Sequence, residues 1–299
     1  MAMGDGEQLS RRQVLAAGAL TGAAVAGSTL WSPARASAAP APAIFYSPHQ
    51  DDEALGLAGS ILEHKAAGRP VYLVLVSKGE NDQLATRMNQ DPCPLTTEDS
   101  RHPCAAGGHH GLSWPTDGTS MIVPARTAEF MASAKALGVD KVINFKLPDS
   151  PYSSVDAYNR FVKSVKAKVK ALAEQYPGAS HKFTAGWLEE TDTHKALADA
   201  AYFLIQEGVL KDVRFNYVYA YDKPRSRRAD GAAYVLNIPP AHMALKRKAI
   251  YCYNTWAPDR NLYALGYHSV PAKMESAHED PREFVFTLPS TYRPGRIRH

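Results

Sequence analysis

The sequence predicts a three-layer α/β/α fold, with helices on both faces of a mostly parallel sheet. Two observations predict it. Short apolar runs rich in β-branched residues alternate with stretches of helical periodicity, the pattern of strand–helix–strand units. The first four of these apolar runs each end in a cluster of polar, chemically capable residues. Ligand sites in parallel sheets lie beyond the carboxyl ends of the strands, so the clusters are placed on one edge.

The elements follow in order. Ala43–Ser47 reads as a buried strand. Leu55, Ala58, Ile61 and Leu62 recur at helical spacing, and Gly68 caps that helix. Val71–Ser77 is the second strand, so the pair is parallel with a right-handed crossover. A helix over Ala125–Leu137 ends at Gly138 and leads into a third strand, Lys141–Leu147. Tyr158, Phe161, Val165, Val169 and Leu172 mark a periodic helix. Its wet face carries Lys163, Lys166, Lys168 and Lys170. Phe183–Gly186 reads as a fourth strand and His194–Glu207 as a helix. Phe215–Tyr221 and Tyr234–Ile238 alternate like paired strands, and Ala241–Tyr253 closes as a helix. Asn81–Pro124 reads as a long turn-rich insertion, of a length that in a compact domain is usually functional, here a lid. The tail from Trp256 reads as irregular, with a strand near Glu283–Leu288.

The 299 residues exceed one typical domain, but residues 1–36 read as an export signal. Ser10-Arg11-Arg12-Gln13-Val14-Leu15 precedes an Ala- and Gly-rich run, and Ala34-Arg35-Ala36 offers small residues for cleavage. Cleavage after Ala36 is expected, with Ala39 as the alternative, leaving one domain over residues 40–299. The twin arginines predict export to the envelope or medium. The formal net charge is +4, with 34 Lys and Arg against 30 Asp and Glu. No basic stripe with interleaved aromatics is present, which argues against a nucleic-acid partner. Of the three cysteines, Cys93 and Cys104 lie close together, and in an exported chain they are expected to form a disulfide. Cys252 reads as a buried free thiol.

The chemistry begins at Pro48-His49-Gln50-Asp51-Asp52-Glu53. Buried charges are costly unless they are paired or bind metal. His49 and Asp52 can turn toward one ion while Asp51 stays free, the layout of a hydrolytic zinc site with a carboxylate to take a proton from activated water. Glu53 reads as an acceptor that orients a ligand. Capping of the next helix by Asp51 or Asp52 is the plainer reading, but three acids after a histidine exceed what a cap needs. Gly79-Glu80-Asn81-Asp82, Pro148-Asp149-Ser150 and Glu189–His194 follow the other strands.

This order resembles the PIG-L/LmbE-like zinc de-N-acetylases over roughly residues 43–255, and their His-Pro-Asp-Asp-Glu signature is matched at 49–53. Gly79-Glu80, Arg126 and Glu129, Leu147-Pro148-Asp149-Ser150, Asp192-Thr193-His194 and Lys246–Thr255 agree with the family in order. The resemblance implies a Rossmann-like fold, zinc held by His49, Asp52 and His194, Asp51 as general base, and Arg126 and Asp149 on the sugar. It implies an N-deacetylase acting on an N-acylated amino-sugar substrate, small or oligosaccharide, with no permanent membrane anchor.

Two departures stand out. Gln50 replaces a proline that only shapes the turn. Thr191 replaces the first histidine of a His-Pro-Asp-His motif, the group that stabilises the oxyanion or protonates the leaving amine. The expected substitute is His268, which follows the closing helix, with His109, His110 and Tyr267 as alternatives. The rival reading is a catalytically degenerate sugar-binding protein of the same fold. A dinucleotide site is disfavoured, since the first strand–helix turn lacks Gly-x-Gly-x-x-Gly and carries acids that repel a pyrophosphate.

Overall fold

The computed structural model describes residues 40–91, 93, 95, 113–115 and 120–295. The export signal with its cleavage site, most of the 81–124 insertion, Cys104, His109 and His110 lie outside the described residues.

The sheet is built around β1 (Ala43–Ser47), buried along its whole length. Strand residues alternate faces, so Ala43 and Phe45 enter one core while Ile44 and Tyr46 enter the other. On one side β1 pairs in parallel with β2 (Val71–Ser77), which pairs with β3 (Lys141–Leu147). On the other side it pairs in parallel with β4 (Ser180–Thr184), which pairs with β5 (Val213–Asn216). The chain therefore runs outward from β1 in both directions, and the switch point between β1 and β4 opens a crevice at their carboxyl ends.

The helices complete three layers. A π-helical turn at Glu53–Leu57 leads into α1 (Ala58–Ala66), which packs with α3 (Ile122–Ala136) and α6 (Pro240–Cys252) on one face. On the other face α4 (Val155–Gln175) and α5 (Asp192–Gln206) pack together. Ser154 caps α4 by accepting from the Ala157 N–H, which satisfies one of the unpaired donors at a helix start. Among the described residues no helix is long and apolar enough to cross a membrane.

The structure corrects three expectations. The insertion begins with a helix, α2 (Asp82–Met88), because Asn81 accepts from the Leu84 N–H and Leu84, Ala85 and Met88 bury against Ile122, Ala125 and Leu265. Phe215–Tyr221 is not one strand: β5 stops at Asn216, and Val218–Asp222 winds into a 3₁₀ turn. Nor does β5 pair with β6 (Tyr234–Asn237), since β9 (Arg282–Phe286) enters between them, antiparallel to both. Finally, the tail is ordered as the hairpin β7 (Trp256–Ala257) and β8 (Leu262–Tyr263), then α7 (Leu265–Ser269), α8 (Pro271–Glu279) and β9.

A buried ion pair ties this tail to the core. Lys246 on α6 donates to Glu283 Oε1 on β9 (2.9 Å) and to the Tyr221 hydroxyl (3.0 Å). The Glu283 carboxylate also accepts from the Gly59 and Ser60 N–H groups at the start of α1, where a negative charge is favoured. Removing one member of a buried pair strands the other charge. Glu283→Ala is therefore expected to cost about 3–5 kcal/mol in urea unfolding; a loss below about 1 kcal/mol would show that Lys246 finds other compensation.

Candidate metal centre and active site

The site starts where β1 ends. Residues 50–53 are all buried. Asp51 has φ 104°, a conformation rare for a residue with a side chain and worth about 1–3 kcal/mol of strain. Its N–H is held by the Tyr253 hydroxyl (2.9 Å) and Glu53 Oε2 (3.2 Å). The Tyr253 hydroxyl in turn donates to Glu53 Oε1 (2.7 Å). Glu53 thus shapes the turn rather than facing a ligand, and burial pushes its carboxyl up to about 8. The Gln50 side chain fits because Gly79 lies opposite: a Cβ there would come within 2.0 Å of Gln50 Oε1, and Gly79 sits at φ +70°.

His49 and Asp52 from the β1 turn meet His194 from the first turn of α5. One ligand atom from each lies within 4.8 Å of the others, a group that can hold a metal ion. His49 Nδ1 and His194 Nε2 are 3.2 Å apart. Asp52 Oδ2 lies 3.5 Å from the first and 3.1 Å from the second, and accepts from the His49 N–H (2.8 Å). Asp52 Oδ1 is buried without a hydrogen-bond partner. An orphaned carboxylate oxygen beside two convergent imidazole nitrogens fits a divalent cation bound through N and O donors. Gly186 permits the approach of α5, since a Cβ there would sit 2.4 Å from the His194 carbonyl oxygen.

Each imidazole is oriented from behind, as metal-ligating histidines require. Asp149 bonds His49 Nε2 (3.1 Å) and accepts from the Thr193 hydroxyl (2.8 Å). Glu189 bonds His194 Nδ1 and accepts from the Val218 N–H (2.7 Å). Burial opposes charge on the rings, but the acids outweigh it. Asp149 and Asp52 raise His49 to about 9, and Asp52 and Glu189 raise His194 to about 10. Against its own burial, Asp52 is held below the usual carboxylate range, chiefly by His194. The acids therefore demand positive charge between them, supplied by protons or by a metal.

Asp51 stands beside this trio without belonging to it. Burial and the neighbouring Asp52 push it up to about 7, while the Arg126 guanidinium 3.5 Å away favours its charged form. Arg126 is fixed by donating to the carbonyls of Gly79 and Gln50, each at 3.0 Å. Its helix also presents Glu129, which accepts from the N–H groups of Tyr263, Leu265 and Gly266. His49, Asp51, Arg126, Asp149, Thr191 and Tyr219 all line one cavity of about 860 Å³.

Arg126 and Asp149 both reach the cavity, but their side chains are already engaged with backbone carbonyls and with His49. His268 does not line the cavity: it is fully buried, with Nδ1 on the Ala264 carbonyl (2.8 Å) and Nε2 on Cys93 Sγ (3.4 Å). The backbone geometry of α7 turns its ring inward, which the spacing of glycines and aromatics in 265–268 does not reveal. Cys93 is a buried free thiol packed on that imidazole, and its expected disulfide partner, Cys104, lies outside the described residues. Cys252 is free as expected, though only part-buried. Sequence reasoning missed the support given by Glu189, Tyr253 and Tyr219. Glu189 carried a signal, an acid five residues before His194. The two tyrosines read as core aromatics.

The fold and site define an α/β protein with a candidate metal centre at the carboxyl edge of its parallel strands. The PIG-L family model, described as GlcNAc-PI de-N-acetylase, matches residues 44–223, and the chain belongs to that family. No curated protein matches the chain in sequence. Among solved structures, the chain is similar to a deacetylase of the teicoplanin biosynthesis pathway, at 18% identity and TM-score 0.55, covering 82% of this chain and 96% of that one. It is also similar to the zinc-inhibited form of teicoplanin deacetylase Orf2, at 17% identity and TM-score 0.53, covering 82% and 96%. The A40926 pseudoaglycone deacetylase Dbv21 gives 17% identity and TM-score 0.51, covering 82% and 95%. These likenesses show a shared fold.

Because a metal must displace protons from raised imidazoles, its uptake releases protons. At pH 7, calorimetry in buffers of different ionisation enthalpy is expected to show at least one proton released per zinc ion. Affinity should rise with pH toward about 10, since His49 is raised to about 9 and His194 to about 10 and both must shed a proton. Metal binding without proton release, or unchanged in His194→Ala, would place the ion elsewhere.

Proposed function

We propose that this chain is an exported, zinc-dependent N-deacetylase that removes an N-acetyl or N-acyl group from an amino-sugar-bearing substrate. The observation that carries the reading is Asp51, a buried carboxylate raised to about 7 and unbonded to the His49–Asp52–His194 trio it adjoins. Membership of the PIG-L family supports the reaction class, and the mixed imidazole and carboxylate donors of the trio support zinc as the metal. The Ser10-Arg11-Arg12 segment supports export.

His49, Asp52 and His194 would hold the ion, with Asp149 and Glu189 fixing the two rings. When bound, zinc supplies Lewis acidity to a carbonyl and lowers the pKa of water. Asp51 takes the proton from the attacking water, and Arg126 keeps that carboxylate charged and aimed. Oxygen adds to the acyl carbon, the C–N bond breaks, and the proton held by Asp51 passes to the leaving nitrogen. The products are a carboxylic acid and a free amine; the acid then gives up its proton to the amine or to solvent, leaving a carboxylate, so atoms and charges balance. The cavity of about 860 Å³ accommodates a sugar ring with its neighbours.

The test is amine release from N-acetylated sugars and acylated glycopeptides by zinc-loaded protein. Asp51→Asn should keep zinc and lose at least about a hundredfold in rate. The base works deprotonated, so the rate should fall as pH drops, with an acid limb at or below about 7 that is absent from Asp51→Asn. Near-normal turnover by that variant, or no amine from any substrate, would leave a sugar-binding protein as the better reading.

A further inference from the structure

Attack on an amide carbonyl builds negative charge on its oxygen, and a preorganised donor there is usually the largest catalytic contribution a protein makes. Thr191 offers no imidazole for the purpose, and His268 faces Cys93 instead of the cavity. Arg126 is committed to two carbonyls and lies beside Asp51. Among the described residues, the remaining donor packed directly on the metal-ligand group is Tyr219. Its ring lies 4.9 Å from that of His194, centroid to centroid, and it lines the cavity with Thr191, His49 and Asp51.

Two further observations fit a substrate-facing role. Thr191 stands at the N-cap of α5, where threonine normally accepts from the helix N–H groups, yet its side chain makes no capping bond. Its buried hydroxyl lies within reach of the Tyr219 phenol but makes no well-formed hydrogen bond there. A buried hydroxyl so weakly satisfied has capacity to hold the phenol as a partner. The Tyr219 ring is also held in place: Val218 and Tyr219 donate their N–H groups to Glu189, and the Lys273 ammonium sits 4.5 Å above the ring.

We infer that the Tyr219 hydroxyl, steadied by Thr191, donates the hydrogen bond that stabilises the acyl oxygen, in the role a histidine at position 191 would fill. This rests on the deacetylase reading and adds the residue that completes it. A phenol is a neutral donor at ordinary pH, so it stabilises the charge without transferring a proton.

The test uses binding as well as turnover. Methylphosphonate mimics the tetrahedral state of an acetyl group, whereas acetate is planar. By calorimetry on the zinc-loaded protein, Tyr219→Phe should weaken methylphosphonate about tenfold or more and change acetate much less. It should cut kcat about a hundredfold with KM little changed and zinc content intact. Phenylalanine keeps the ring on His194, so folding is preserved. Adding Thr191→His to Tyr219→Phe should restore methylphosphonate affinity and part of kcat, a rescue that a merely structural tyrosine would not permit. If the wild-type protein binds methylphosphonate and Tyr219→Phe binds it equally and turns over normally, the assignment of Tyr219 is overturned while the deacetylase reading stands. If the wild-type protein binds no methylphosphonate and releases no amine, both fall together.

Discussion

The structure depends on one electrostatic constraint: too many acids are buried at the carboxyl ends of β1 and β4. Asp51, Asp52 and Glu53 follow one strand and Glu189 follows the other, all nearly inaccessible to water. Carboxylates in such a place are tolerable only where positive charge and N–H donors meet them. His49, His194 and Arg126 supply part of that charge, and the orphaned Asp52 oxygen marks where more is wanted. The same surplus that threatens the fold gives the site its appetite for a cation. Stability and chemistry are one problem here, solved by one group of side chains.

The solution draws on distant parts of the chain. Tyr253, at the end of α6, accepts from the strained Asp51 N–H and donates to Glu53, which accepts from the same N–H. Glu129 on α3 gathers the N–H groups of residues 263–266, and Arg87 on α2 reaches the His268 carbonyl. The C-terminal tail is thus fixed against α2 and α3. Asp149 and Glu189 do the same for the two imidazoles, fixing ring orientation so that Nδ1 of one and Nε2 of the other converge. Little of the trio is left to side-chain freedom.

Much of this was legible in the sequence. β1 and β2 appear where the apolar runs place them, because a buried parallel strand must be apolar on both faces and must stop at its first charges, and β3 forms the exposed edge beside them. The convergence of His49, Asp52 and His194 was legible for the same reason, since clusters following parallel strands share an edge. Other parts were not legible. A strand's alternation records which faces are buried but not its neighbour, so the entry of β9 between β5 and β6 left no local mark. The helix α2 rests on contacts with α3 and the 262–265 segment, which a short window cannot contain.

By itself, then, the sequence determined the layer architecture, the edge that carries the chemistry and the identity of its histidines and acids, because periodicity and residue type are local properties. Only the tertiary structure decided their roles. It placed Asp149, on the cavity wall, against His49, and Glu189 behind His194. It buried His268 against Cys93, and it brought Tyr219 from a 3₁₀ turn onto the cavity wall beside Thr191. The direction of a side chain depends on backbone turns and on partners far away in the chain, so no spacing rule could have fixed those four positions in advance.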